Sequence, residues 1–255
     1  MSAAIEFRNV SFALAVGRLL LDNISLTLEE GTTTAILGRS GSGKTTLLRT
    51  VNRMVEPTGG EVLLHGKNLR DTDLIALRRG IGYVIQEMGL FPHFTAERNV
   101  GMVLEAEGKP SDERRLRSRE LMAAVGLDPA VFATRYPHQL SGGQRQRVGL
   151  ARALAAEPAV LLMDEPFGAL DPLTRAEMQD MLRELLQRLK KTVLLVTHDL
   201  NEALYLADRV VLLNEGKLIA NLDAAEFPRS HHPEIEAYVH SFRRTPPDAK
   251  GEVRP

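Results

Sequence analysis

The sequence predicts an α/β fold built on a mainly parallel core sheet, with an antiparallel β-subdomain at the N-terminus and a helical subdomain inserted in the middle. Three observations predict it. Apolar runs of strand length recur along the chain, helical patterns separate them, and two stretches break the alternation. The first ~30 residues alternate with period two: Leu26 and Leu28 face one way, Ser25 and Thr27 the other, up to the turn at Glu30-Gly31. Thr33–Leu37 is the first buried run, after which Leu47, Leu48, Val51 and Met54 share one helix face. Ile81–Ile85 is the next strand. From Thr95 to about Ala156 helical patterns dominate, including the charged stretch Ser111–Glu120 and the apolar run Leu121–Leu127, and this is read as the insertion. Val160–Met163, Val193–Thr197 and Arg209–Leu213 complete the strands, and a helix carrying Met178, Leu182, Leu185 and Leu189 on one face follows the first of them. One domain is expected over residues 1–242 with the insertion at about 95–156. The segment 243–255, RRTPPDAKGEVRP, is rich in proline and charge and is expected to be disordered.

Composition narrows the function classes. Across 255 residues, 32 lysines and arginines against 33 aspartates and glutamates leave a net charge of −1, which argues against nucleic acid as a partner held by bulk charge. A hydrophobic content of 44% with 25% charged residues fits an ordinary globular chain. With no cysteine there is no disulfide scaffold, thiolate metal site or cysteine nucleophile, and a reducing compartment is the natural expectation. The apolar runs fall short of the ~18 residues of a membrane span, and MSAAIEFRN does not resemble a secretion signal, so a soluble chain is expected.

Three motifs carry chemistry. GRSGSGKT covers Gly38, Arg39, Ser40, Gly41, Ser42, Gly43, Lys44 and Thr45, follows a strand and opens a helix that continues through Thr46. Its glycines let backbone N–H groups turn toward phosphate oxygens, and the helix N-terminus adds positive potential. Lys44 is suited to the β- and γ-phosphates and Thr45 to Mg²⁺. VLLMDE, Val160–Glu165, delivers two carboxylates at a strand end: Asp164 for Mg²⁺ through a water, Glu165 for the attacking water. LSGGQ spans Leu140, Ser141, Gly142, Gly143 and Gln144; Ser141 and Gln144 form a capping box, while the glycines leave N–H groups open to an anion. Gln86 and His198 each follow a strand that should end on the same sheet edge, where an amide near Mg²⁺ and an imidazole near the γ-phosphate make chemical sense.

Together these motifs resemble the ATP-binding subunits of ABC transporters, over about Ile5 to Leu222. The resemblance reads GRSGSGKT as the Walker A loop and Gln86 as the Q-loop. It reads LSGGQ as the signature, Asp164-Glu165 as the Walker B end, Gly168–Asp171 as the D-loop and His198 as the switch histidine. It implies the ABC ATPase variant of the phosphate-loop fold and a head-to-tail homodimer. ATP and Mg²⁺ would lie between one subunit's phosphate loop and the other's signature, with Asp171 beside it. It further implies permease subunits as partners, a solute-binding protein as an indirect one, and a peripheral place on the cytoplasmic face of the cell membrane.

The segments VNRMVEPTGGEV, LRRGIGYVIQEMGLFPHFTAERNV, RYPHQLSGGQ and LLMDEPFGALDPLTR are similar to ATPases of quaternary-amine importers, which take up glycine betaine, carnitine or choline. Alternatives are an importer ATPase for another small solute such as an amino acid, or an ABC ATPase outside transport. Two departures stand out. Tandem CBS domains, which follow the ATPase in many relatives, are not expected here, and the aromatic that stacks on adenine in the family is replaced by Leu14.

Overall fold

The computed structural model describes residues 2–15, 17–85 and 89–242. Five strands run parallel in the order β9 (Arg209–Asn214), β3 (Thr33–Leu37), β8 (Thr192–Val196), β7 (Val160–Asp164), β6 (Ile81–Val84), and β10 (Lys217–Asp223) adds an antiparallel edge on β9. The apolar runs are continuous because both faces of this sheet are covered. The pleat still sorts them. Ala35, Leu37, Leu161, Met163, Val193, Leu195, Val210 and Leu212 enter one core. Their alternating neighbours Ile36, Val160, Leu162, Leu194, Val196, Val211 and Leu213 enter the other. Each such side chain contributes roughly 1.5–3 kcal/mol on burial, which holds β3, β7 and β8 as a fixed base beneath their C-terminal ends.

The second core is closed by α1 (Lys44–Val51) and by a four-stranded antiparallel sheet. That sheet has the order β2 (Leu19–Glu29), β1 (Ala3–Ala13), β4 (Gly59–Leu64), β5 (Lys67–Asn68). Leu26 and Leu28 are buried and Ser25 and Thr27 exposed, as the alternation requires. The short helix α2 (Leu74–Arg79) leads into β6. The first core takes in α3 (Ala96–Ala106), α4 (Ser111–Ala124) and α6 (Gly142–Ala153), with α5 (Pro129–Phe132) between the last two. It also takes in α7 (Pro172–Leu189), α8 (Leu200–Leu206) and α9 (Pro233–Phe242). Among the described residues no helix is long and apolar enough to cross a membrane.

One expected helix-face residue is corrected. α1 ends at Val51 and Arg53 is left-handed (φ 52°), so Met54 leaves the helix and is 55% exposed. Leu189 is the last residue of α7, just before the left-handed Lys190, and is exposed, whereas Met178, Leu182 and Leu185 are buried. The segment expected to be disordered, 243–255, lies outside the described residues.

Candidate functional site

Four strand ends converge on one edge because β3, β6, β7 and β8 are parallel. β3 runs into the loop Gly38–Gly43 and α1. Gly43 sits at φ 99°, and a Cβ there would lie 2.5 Å from the carbonyl oxygen of Leu20, so only glycine lets the loop pass that close to β2. Lys44 is buried, and its ammonium donates to the carbonyls of Gly38 and Arg39, both at 2.9 Å, folding the loop around itself. Burial lowers the Lys44 pKa, opposed by the carboxylates of Glu165 and Asp164. Lys44, Ser40, Gly41, Gly43, Thr45, Thr46, Leu20 and Glu165 line one cleft.

The Thr45 hydroxyl donates to Asp164 Oδ1 at 2.7 Å, and Arg49, one turn further along α1, pairs with Asp164 Oδ2 at 3.6 Å. The hydroxyl and the carboxylate are hard oxygen donors that fit Mg²⁺. Glu165 follows β7 in a left-handed conformation (φ 46°), costly for a non-glycine residue, and its N–H donates to the Val196 carbonyl on β8. That conformation turns its carboxylate toward the next strand end: Glu165 Oε2 lies 3.2 Å from His198 Nδ1. Strain at such a site is a functional pointer.

LSGGQ forms a separate constellation. Ser141 caps α6, its hydroxyl accepting from Gln144 N–H at 3.2 Å while Gln144 Oε1 accepts from Ser141 N–H at 2.9 Å. Gly143 has a packing role the spacing did not reveal: a Cβ there would meet the Thr174 methyl at 2.5 Å. Thr174 is in turn bound to Asp171, whose carboxylate caps α7 by accepting from Thr174 N–H at 3.0 Å. Hydrogen bonds from Thr174 hold the exposed Asp171 carboxyl below the usual range. The fold therefore brings residues 141–144 and 171 together. Among the described residues, none of them lines the phosphate-loop cleft of its own chain.

Gln86 lies outside the described residues. Leu14 is at the β1–β2 hairpin, its N–H donating to the Arg18 carbonyl at 2.9 Å, and is 39% exposed. Phe12 packs on the second core. Leu20, not anticipated from the motifs, lines the cleft. Arg49 was also missed, although it stands four residues after Thr45 and so on the same helix face.

Glu202, on α8 just after the His198 loop, is buried with Oε1 unpartnered among the described residues. Burial, helped by the neighbouring Asp199, pushes its carboxyl up to about 8, against the pull of Thr197 and Arg175. A folded value above the unfolded one means that its contribution to stability is full below about 4.5 and is lost as pH rises through about 8. Glu202→Gln, which mimics the protonated form, should gain on the parent chain between about pH 5 and 9, reaching on the order of 2–4 kcal/mol. Thermal melts across that range check it, and parallel profiles contradict it.

Fold and site together define a phosphate-loop α/β cassette with an added antiparallel sheet and a helical insertion. The family model described as ABC transporter matches residues 21–168, more than half of the chain. The chain belongs to that family. It is 46% identical over 215 residues to the choline transport ATP-binding protein OpuBA of Bacillus subtilis (strain 168), covering 84% of this chain and 56% of that protein. It is 46% identical to the glycine betaine uptake system ATP-binding protein YehX of Escherichia coli (strain K12), covering 84% of this chain and 69% of the other. The chain thus spans between about half and two thirds of these relatives. A dimeric structure of the ATP-binding cassette MJ0796, in a post-hydrolysis state bound to ADP and Pi, superposes with a TM-score of 0.77. It is 36% identical and covers 86% of this chain and 98% of that one.

Proposed function

We propose that this chain is the ATP-hydrolysing subunit of an importer for quaternary-amine osmoprotectants such as glycine betaine, carnitine or choline. It works as a head-to-tail homodimer on permease subunits at the cytoplasmic membrane face, with a solute-binding protein as the indirect partner. The observation that carries the enzymatic part is the convergence at one sheet edge: Thr45 on Asp164 at 2.7 Å and Glu165 on His198 at 3.2 Å, beside the buried Lys44. The names of OpuBA and YehX support the solute class. The separation of residues 141–144 from the cleft, together with the dimeric form of MJ0796, supports completion of the site by a second copy.

In this reading Lys44 and the loop N–H groups hold the β- and γ-phosphates, and Leu14 offers the adenine an apolar contact without ring stacking. Thr45 and Asp164 would hold Mg²⁺, with Gln86 as a further ligand; the ion, when bound, offsets charge on the phosphate oxygens. Glu165 orients the attacking water and takes its proton, and His198 holds Glu165 in place and faces the γ-phosphate side. Phosphate release from ATP by the purified chain, with and without Mg²⁺, tests the enzymatic part. Absence of Mg²⁺-dependent release contradicts it.

Permease docking is assigned to Gly89–Thr95. Phe91 is 38% exposed and stacks on Phe94 with ring centroids 5.4 Å apart, while Arg98 lies 3.9 Å over the Phe94 ring. The buried Asn99 clamps this turn, accepting from Phe91 N–H at 2.8 Å and donating to the Phe91 and Phe94 carbonyls at 3.1 and 3.0 Å. Phe91 is thus presented outward from a fixed turn, whereas Phe94 is half-buried and Leu90 packs against the first core. Phe91→Ala with Phe94→Ala should lower permease-coupled uptake in vesicles at least ~10-fold, since central aromatics dominate interfaces. ATP binding by the isolated chain should stay unchanged. Normal uptake contradicts the docking assignment.

A further inference from the structure

The His198 imidazole reaches Glu165 from a side chain that is 63% exposed, so its aim depends on how the backbone at residue 198 is held. Thr197, just past the end of β8, is fixed by its N–H to the Ile36 carbonyl on β3 at 3.2 Å. The His198 carbonyl is held from a distant element: the Tyr238 hydroxyl donates to it at 3.0 Å, across 40 residues of sequence.

Tyr238 stands on α9, which has little freedom. Ile235 and Val239, four residues apart on one face, are buried in the first core. A second tie comes from β9, where Asn214 Nδ2 donates to Glu234 Oε2 at 2.8 Å. Between α9 and the start of the phosphate loop lies a cavity of about 360 Å³, whose walls include Gly38, Arg39, His198 and Tyr238. The Tyr238 ring packs against the first core, and its hydroxyl connects α9 to the His198 loop.

We propose that Tyr238 is a positioning residue for ATP hydrolysis: its hydroxyl fixes the His198 carbonyl, so that the imidazole keeps its reach to Glu165 only while α9 is docked. The inference rests on the ATPase reading above. No motif in the sequence pointed to it, because a lone tyrosine in a terminal helix reads as ordinary packing.

Tyr238→Phe keeps the ring and removes only the hydroxyl. On the full chain, kcat for ATP is expected to fall about 3- to 10-fold, the effect of one hydrogen bond acting on the catalytic step. KM for ATP, the affinity for ATP measured by titration, and the melting temperature should stay within about twofold or a few degrees of the parent chain. Tyr205→Phe, which removes a tyrosine hydroxyl that donates from α8 to Asp180 on α7, should leave kcat unchanged. An unchanged kcat in Tyr238→Phe, while the parent chain hydrolyses ATP, overturns the proposal alone. So does an equal fall in Tyr205→Phe, or a fall shared by KM, affinity and melting temperature, which marks mere packing. No hydrolysis by the parent chain overturns the ATPase reading and this proposal with it.

Discussion

Glu165→Gln is expected to cut ATP turnover by about 10²–10⁴-fold while ATP binding is retained. The carboxylate occupies the cleft with Lys44 and Thr45 but makes no hydrogen bond to either among the described residues; its neighbour is His198 Nδ1 at 3.2 Å. A glutamine amide has the same shape and can still hydrogen-bond the imidazole, yet it cannot accept a proton from water. Thr45, Asp164 and Lys44 keep their places, so ATP accumulates unhydrolysed between two copies. Size-exclusion chromatography should therefore show a dimer with ATP and Mg²⁺ and a monomer without them. Turnover at the parental rate removes Glu165 from the role of base.

Lys44→Ala should weaken ATP binding by about 10²–10³-fold. Charge-assisted hydrogen bonds contribute about 1.5–3 kcal/mol each, and losing ~3–4 kcal/mol of them gives that factor. The loop suffers as well, because the carbonyls of Gly38 and Arg39 lose the ammonium that draws them inward. Burial already disfavours this charge, so an anionic ligand restores what desolvation removes. Titration with a fluorescent nucleotide measures the change. Affinity within threefold of the parent chain contradicts the assigned role.

Much of this could be read from the chain, for identifiable reasons. Thr33–Leu37 matches its strand residue for residue, and Val160 and Arg209 both open theirs, because strands covered on two faces print unbroken apolar runs. The Ser141–Gln144 capping box is local, and so was visible. Periodicity could not locate the end of α1, where Asn52 and the left-handed Arg53 turn the chain away before Met54. Nor could it find Gly143 against Thr174, the burial of Glu202, or Tyr238 on His198, each set by an element remote in sequence. The left-handed backbone of Glu165 was equally hidden, since glutamate is not a residue that announces such a conformation.

The proposed shared site places ATP between the phosphate loop of one chain and the LSGGQ segment of another. With no native cysteine and with Ser40 and Ser141 both exposed, it can be tested by cross-linking. Ser40→Cys and Ser141→Cys would be made in separate Glu165→Gln chains, mixed, and oxidised with ATP and Mg²⁺, with ADP, or with no nucleotide. The expected result is a disulfide-linked dimer that forms only in the mixture, only with ATP, and disappears on reduction. A mixture that stays monomeric with ATP, or that cross-links equally without nucleotide, contradicts a shared site.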